Sequence, residues 1–284
     1  IIGGGFGGLS IAKQLKNRNF QVVLLDKHNY HNFQPLMYQV ATGGLEAGTI
    51  AYPIRKVVQE HKETFFRMAN VEKVDTVGKK VISDIGTIYY DYLVIATGST
   101  NNYFGNKEIE KNSMVMKTIP EALDIRSLIL ENFELALQTN DEKVRRSLMN
   151  FVIVGAGPTG VELAGALAEM KKAVLPKDYP DLDLSMMEIN LVQGTNRVLD
   201  AMSEKSSKAA AKYLKNLGVS IHLDVRVTNY DGNVVTTAGD LEFHSQAVIW
   251  SAGVKGAAID GVNDAVDRAS RIRVNDFNQV EGFE

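Results

Sequence analysis

The chain has 284 residues, enough for one or two domains, and its 45% hydrophobic and 23% charged content is that of an ordinary globular protein. A net charge of −3 gives no footprint for nucleic acid, so no nucleic-acid partner is expected. The absence of cysteine excludes disulfides, thiolate metal sites and a redox dithiol within these residues, and no apolar run nears the ~20 residues of a membrane span.

The chain opens inside an apolar run, Ile1–Ile2, and a few residues are expected to precede it. GGGFGGLSIAKQL follows, in which Gly3, Gly5 and Gly8 fit G-x-G-x-x-G between a strand and a helix. The first glycine of that pattern permits a tight turn, the second lets backbone approach a pyrophosphate, and the third lets the helix pack on the strand. The helix N-terminus adds free N–H groups and a partial positive charge. Gln21–Asp26 reads as the next buried strand, with Asp26 at its end where an acid holds an adenosine ribose. The loop after it, including Phe33–Leu45, is aromatic and polar by turns and could wrap a large cofactor such as FAD. His28 and His31 lie three apart in that loop without a carboxylate pair, so hydrogen bonding is expected there and no metal site. Val71–Asp91 has short alternating runs and turns at Gly78 and Gly86, an antiparallel meander. Tyr92–Gly98 is a buried parallel strand ending in Ala-Thr-Gly.

Thr118 and Glu121 stand at capping-box spacing, with Pro120 in the first turn, and open a helix running to about Gln138. Asp141–Arg146 reads as a solvated linker or helix end. Phe151–Met170 then repeats the opening device, a strand, a turn with Gly155, Gly157 and Gly160, and a helix. Lys171–Met187 reads as a long connection. The strand Glu188–Gly194 carries Gln193 where the first unit has Asp26. Glutamine can hydrogen-bond a ribose hydroxyl but lacks the charge that repels a 2′-phosphate, and Arg197 follows at a spacing that could face one. The site is therefore expected to prefer NADH weakly or to accept NADPH too. Ser203–Gly218 is a helix closed by its glycine. Ala247–Gly253 is a last buried strand, with Trp250 in the core.

Gly3 to Gly98 and Gly155 to Gly253 are spans of nearly equal length with the same order of parts, the mark of an internal repeat. The expected fold is α/β, two Rossmann-like dinucleotide-binding domains with parallel sheets and antiparallel meanders. Residues 1–117 and 254–284 would form a discontinuous first domain and 118–253 the second. One chain with two dinucleotide sites can pass hydride from a diffusible nicotinamide nucleotide to a second, bound cofactor.

At FQPLMYQVATGGL (Phe33–Leu45) the sequence resembles the type II NADH:quinone oxidoreductases, single-subunit peripheral membrane flavoenzymes of the two-dinucleotide-binding superfamily. GGGFGGL, YLVIATGS, GAGPTGVELAGALAEM, LPKDYPDLD and VIWSAGVKG share the resemblance and occur in the family's order. It implies a glutathione-reductase-like architecture, FAD at the first unit, and NADH (with NADPH as an alternative) as substrate at the second. Electrons would pass to menaquinone or ubiquinone in a respiratory chain without proton pumping. FAD contacts would fall on Gly3, Gly4, Gly5, Phe6, Gly7, Gly8, Asp26, Lys27 and the backbone of Val71. Ala96, Thr97 and Gly98 would approach its pyrophosphate end, and Pro35, Leu36, Ala41 and Thr42 its isoalloxazine. NADH would meet Gly155, Gly157, Thr159, Gly160, Gln193, Ala252 and Gly253.

The resemblance also implies that Glu162 lies between nicotinamide, flavin and quinone, positioning the nicotinamide or relaying a proton. Read from the residues alone, Glu162 is equally an acid favoured by the helix dipole. The family continues past Glu284 into segments that complete the FAD and quinone sites and attach the enzyme to the membrane surface. The chain is thus expected to be a soluble fragment of a protein bound peripherally to the cytoplasmic face of the cell membrane, with a homodimer left open. Two alternatives stand beside this reading. One is an NAD(P)H-dependent reductase of a small iron–sulfur carrier, the other a non-catalytic nucleotide-sensing module without flavin.

Overall fold

Apolar runs in this chain become short parallel strands buried on both faces. The structure, a computed structural model, describes residues 1–59 and 62–283. It divides into two units, Ile1–Phe33 with Gly48–Thr100 and Val254–Glu284, and Gln34–Ala47 with Asn101–Gly253.

In the first unit Val22–Asp26 pairs in parallel with Thr64–Met68. Ile2 bridges Leu25 on one side and Ile95 on the other, both in parallel. Successive side chains of a strand point to opposite faces. Leu24 accordingly packs with Leu9, Ile54, Val58 and Phe66 on the helical side, while Leu25 packs with Ile2, Ala69, Val74 and Val81 on the other. Val71–Asp75, Lys80–Ser83 and Gly86–Tyr89 form the expected antiparallel meander. The strand expected over Tyr92–Gly98 is reduced to the single bridge at Ile95. The pairing consists of the Ile2 N–H to Val94 carbonyl and Ala96 N–H to Ile2 carbonyl bonds, each 2.8 Å.

The second unit repeats this order with longer partners. Ser220–His222, Glu188–Val192, Asn150–Val154 and Ala247–Trp250 lie side by side, all parallel. Val152, Val154, Val192, Val248 and Trp250 pack with Tyr230, Val235 and Phe243, residues of the second meander. On the opposite face Phe151 meets Phe133 edge to face at 5.8 Å. Trp250 is core, as expected, and its indole N–H donates to the Asn102 carbonyl at 2.9 Å. The helix Ile119–Gln138 opens on the expected capping box, Thr118 Oγ1 accepting from the Glu121 N–H and Glu121 Oε2 from the Thr118 N–H. A ladder of side chains crosses three strands of this sheet. His222 Nε2 lies 2.8 Å from Asn190 Oδ1, Asn190 Nδ2 donates to Asn150 Oδ1 at 2.9 Å, and Asn150 Nδ2 donates to the His244 carbonyl at 2.9 Å. The buried amides are therefore paired, which burial of polar groups requires.

Two further expectations are corrected. Residues 34–47 and 101–117, assigned above to the first domain, belong to the second unit. The first segment forms a helix, Met37–Ala41, whose Met37, Val40 and Ala41 are buried and which packs on helices Ile119–Gln138 and Pro158–Ala173. The second carries Met114, bridged to Ile249, and helix Lys107–Asn112 against the strand Val227–Tyr230. Of the two readings of Asp141–Arg146 the helix end holds, because Asp141 caps a helix, Glu142–Leu148, by accepting from the Lys143 and Val144 N–H groups. Lys171–Met187 is not one loop. Its first residues extend the helix to Ala173, and Leu175–Asp178 and Leu184–Met186 are further helical turns. Among the described residues no helix is long and apolar enough to cross a membrane.

Candidate functional site

The two glycine turns are built alike, atom for atom in places. Gly3 and Gly155 have φ of 104° and 102°, a region that L side chains rarely adopt. A Cβ on Gly3 would lie 2.3 Å from the Ala96 carbonyl oxygen, and one on Gly155 2.6 Å from the Ala252 nitrogen. Each first glycine therefore seats its turn on the end of the neighbouring strand. A Cβ on Gly8 would lie 1.8 Å from the Gly3 oxygen, and one on Gly160 1.9 Å from the Gly155 oxygen. At Gly5 and Gly157 nothing lies within 4 Å of that position. These second glycines are the helix N-caps, and the helices Phe6–Gln14 and Pro158–Ala173 start beside them. The N–H groups of the first turn, at Phe6, Gly7, Gly8, Thr159 and Gly160, precede the first intrahelical donors, Leu9 and Val161. Each turn thus offers donors, a positive helix end and open space, a donor set that fits a pyrophosphate.

The strand-end residues are also wired alike. Asp26 Oδ2 accepts the Gly4 N–H at 2.5 Å and Oδ1 the His28 N–H at 2.7 Å. In the second unit Gln193 Oε1 accepts the Ala156 N–H at 2.8 Å, the equivalent bond. Gln193 Nε2 donates to Thr195 Oγ1 at 2.7 Å, and Thr195 Oγ1 is 3.4 Å from Asp200 Oδ2. The glutamine oxygen is thereby committed to the turn, and the group left facing outward is a donor. Arg197 folds onto its own loop and donates to the Asp200 carbonyl.

The remaining predicted residues sort by unit. Around the first turn, Phe6 is exposed and stands edge-on to His31 at 4.8 Å and Phe33 at 5.6 Å. His31 Nδ1 donates to the Gly4 carbonyl at 3.2 Å, a loop hydrogen bond to the turn, while His28 Nδ1 stands 3.7 Å from Asp26 Oδ1. Lys27 is exposed, Val71 opens the meander, and Thr97 Oγ1 donates to the Ala257 carbonyl at 2.7 Å beside Gly98. Among the described residues no cluster of His, Asp and Glu could hold a metal ion. Pro35, Leu36, Ala41 and Thr42 lie in the second unit, where Ala41 is buried and Pro35 exposed. Glu162 sits in the second turn of helix Pro158–Ala173, with Thr159 exposed in the turn before it. Although Glu162 reaches the surface, dehydration by its neighbours pushes its carboxyl above the usual carboxylate range. Sequence reasoning missed Ser251, whose Oγ donates to the Val154 and Gly155 carbonyls at 2.9 and 2.8 Å and ties strand to turn. Its position in the Ser-Ala-Gly ending was a signal that could have found it.

Residues 1–282 match the family pyridine nucleotide-disulphide oxidoreductase. The chain belongs to that family. Type II NADH:quinone oxidoreductase Ndh of Mycobacterium tuberculosis is 36% identical over 296 residues, covering 100% of this chain and 64% of the relative. External alternative NAD(P)H-ubiquinone oxidoreductase B3 of Arabidopsis thaliana mitochondria is 31% identical over 271 residues, covering 89% of this chain and 47% of the relative. The chain thus spans about half to two thirds of the length of these relatives. The solved structure of NDH2 from Plasmodium falciparum in complex with NADH has a TM-score of 0.83 at 22% identity, over 91% of this chain and 55% of that one. That likeness shows a shared fold, and the motif resemblance to type II enzymes is met by relatives of that name.

Proposed function

We propose that the protein containing this chain is a flavin-dependent oxidoreductase that takes hydride from NADH, and from NADPH as well, and delivers two electrons to a membrane quinone without pumping protons. The observation that carries this reading is the duplicated turn with divergent strand ends, Asp26 in one unit and Gln193 in the other. Two nucleotides of different kinds are what such a pair can hold. The relatives, named as NADH:quinone and NAD(P)H-ubiquinone oxidoreductases, point the same way.

FAD, when bound at the first turn, supplies a two-electron acceptor for hydride and a donor to quinone. The N–H groups of Phe6, Gly7 and Gly8 would hold its pyrophosphate, with Gly3, Gly4 and Gly5 as the floor. Asp26, with Lys27 beside it, would hold the ribose, the Val71 backbone would face the adenine, and Ala96, Thr97 and Gly98 would line the other end. Pro35, Leu36, Ala41 and Thr42 are the residues for the isoalloxazine. At the second turn Gly155, Gly157, Thr159 and Gly160 would hold the NADH pyrophosphate, Gln193 the adenosine ribose, and Ala252 and Gly253 the nicotinamide half. Glu162, whose carboxyl pKa is raised by dehydration, would position the nicotinamide or pass a proton towards reduced quinone. Orientation of the two reactants is the main catalytic contribution asked of the chain.

The intact protein would lie peripherally on the cytoplasmic face of the cell membrane through a C-terminal segment, with menaquinone or ubiquinone as partner, and could pair as a homodimer. The test is anaerobic mixing of the full-length protein with NADH, followed by a menaquinone analogue. Flavin absorbance should bleach and then return. Bleaching without return would remove the quinone, and a colourless protein would remove the flavin.

A further inference from the structure

Phe104 occupies a turn, Tyr103 to Asn106, closed by the Asn106 N–H on the Tyr103 carbonyl at 3.0 Å. Both central residues have positive φ, 52° at Phe104 and 82° at Gly105. Asn, Asp or Gly suits such positions, and a bulky aromatic there is strained. Burial does not explain the choice, since Phe104 is 66% exposed. Neighbours hold the turn all the same. Asn102 Oδ1 accepts the Phe104 N–H at 2.9 Å, and Asn106 Nδ2 donates to the Thr228 carbonyl at 2.8 Å. Strain that the surroundings enforce is concentrated at functional sites.

The ring lies on Gly253. A Cβ there would stand 2.9 Å from Phe104 Cζ, and the ring also meets Trp250 edge to face at 6.5 Å. Gly253 follows Ser251 and Ala252, the backbone on which the glycine turn at Gly155 is seated. Sheet order gives the direction. The pyrophosphate belongs above Asn150–Val154, and the adenosine half extends towards Gln193, which follows the adjoining strand Glu188–Val192. The opposite neighbour of Asn150–Val154 is Ala247–Trp250, so the other half of the nucleotide extends towards Gly253 and Phe104. Among the described residues two apolar side chains have positive φ, Phe104 and Leu199. Leu199 donates its N–H to the Ala156 carbonyl of the same glycine turn, on the Gln193 side. The strain therefore flanks the second turn on both sides.

We propose that Phe104 is a positioning residue for the nicotinamide half of the bound nucleotide, its ring held out of the core to form the wall of the site at Gly253. The proposal rests on the reading of the second turn as the NAD(P)H site. Its test is titration calorimetry of the full-length protein and of F104N and F104Y with NADH and, separately, with ADP, which has only the adenosine half. Asparagine suits positive φ, so F104N should melt at or above the wild-type temperature. It should bind NADH at least about fivefold more weakly, the lower end of ring stacking, and leave ADP within about twofold. F104Y should bind both as the wild type does. Unchanged NADH affinity in F104N would overturn the proposal. So would equal weakening towards NADH and ADP, or a clear fall in its melting temperature, since the ring would then serve the turn or the core. Failure of F104N to fold would count the same way, and a loss of NADH affinity in F104Y would also overturn the proposal. A wild-type protein that binds neither ligand refutes the nucleotide assignment itself, a failure distinct from these.

Discussion

Replacing Gln193 with glutamate changes one atom and adds one charge at the point where the second unit departs from the first. Oε1 would keep the Ala156 N–H, now held at 2.8 Å. The other oxygen would accept from Thr195 Oγ1, whose hydrogen now points to acceptors no nearer than 3.4 Å. The outward group would turn from donor to acceptor, as at Asp26, and could take hydrogen bonds from both ribose hydroxyls. A 2′-phosphate in that place would carry a charge of about −1.5 to −2, and at about 5 Å from the new carboxylate the repulsion in water is about 1.5 kcal/mol. Salt screening lowers that figure and the lower dielectric at a protein surface raises it, so about tenfold against NADPH is the expected change. The assay is kcat/KM for NADH and NADPH in wild type and Q193E at fixed ionic strength. The ratio should move at least about tenfold towards NADH, more steeply at low salt. A ratio that stays within about twofold would show that Gln193 does not face the ribose, and the assignment of the second turn's adenosine side would fall.

The two later glycines of the second turn should separate folding from binding. G160A places a methyl 1.9 Å from the Gly155 oxygen and should lower stability by about 2–3 kcal/mol, a melting-temperature loss of roughly 5–10 °C. G157A meets nothing within 4 Å and should melt normally while losing stabilisation by NADH, so equal melting losses in both would contradict the geometry. E162Q should leave the melting temperature within about 2 °C and lower NADH:quinone turnover at least about tenfold, and unchanged turnover would remove Glu162 from the mechanism. His222 gives a pH dependence. Burial lowers its pKa, against the opposing pull of Glu188, so the unfolded chain binds its proton first as pH falls. The stability it contributes is complete above the ordinary histidine value of about 6.5 and is lost between there and the lower folded pKa. Urea midpoints from pH 8 to 5 should fall less in H222Q, whose amide can keep the bond to Asn190, and parallel curves would refute the assignment.

Much of this was legible in the sequence because the repeat unit is local. A glycine turn, a strand end and a capping box each need only a few adjacent residues of the right kind, and Gly3, Gly155, Asp26 and Thr118 stand where their patterns put them. What failed depends on partners far away in sequence. Tyr92–Gly98 has a strand's composition, and the one bridge it forms is to Ile2, distant in sequence. Residues 34–47 look like a polar loop because only Met37, Val40 and Ala41 face inward, and their packing surface comes from helices more than eighty residues on. The wiring of Gln193 was half legible. Its identity announced the missing charge, but which end of the amide faces outward is fixed by the Ala156 N–H, a contact that no spacing rule reveals.

The duplication also explains why the turns agree so closely and the strand ends do not. Gly3 and Gly155, and Gly8 and Gly160, are constrained by their own chain, since any Cβ there meets backbone in both units. Such positions cannot drift whatever the ligand. Gly5 and Gly157 are free of that constraint, since a Cβ at either meets no atom within 4 Å, and under the proposed function that space is where a pyrophosphate would approach. Asp26 and Gln193 share one bond back to the turn and differ in the group they turn outward. Steric identity where the chain touches itself, with chemical divergence where it faces outward, is what two sites for related but unequal nucleotides require. Under the proposed function the change from carboxylate to amide is the change from one bound nucleotide to another, which is what Q193E tests.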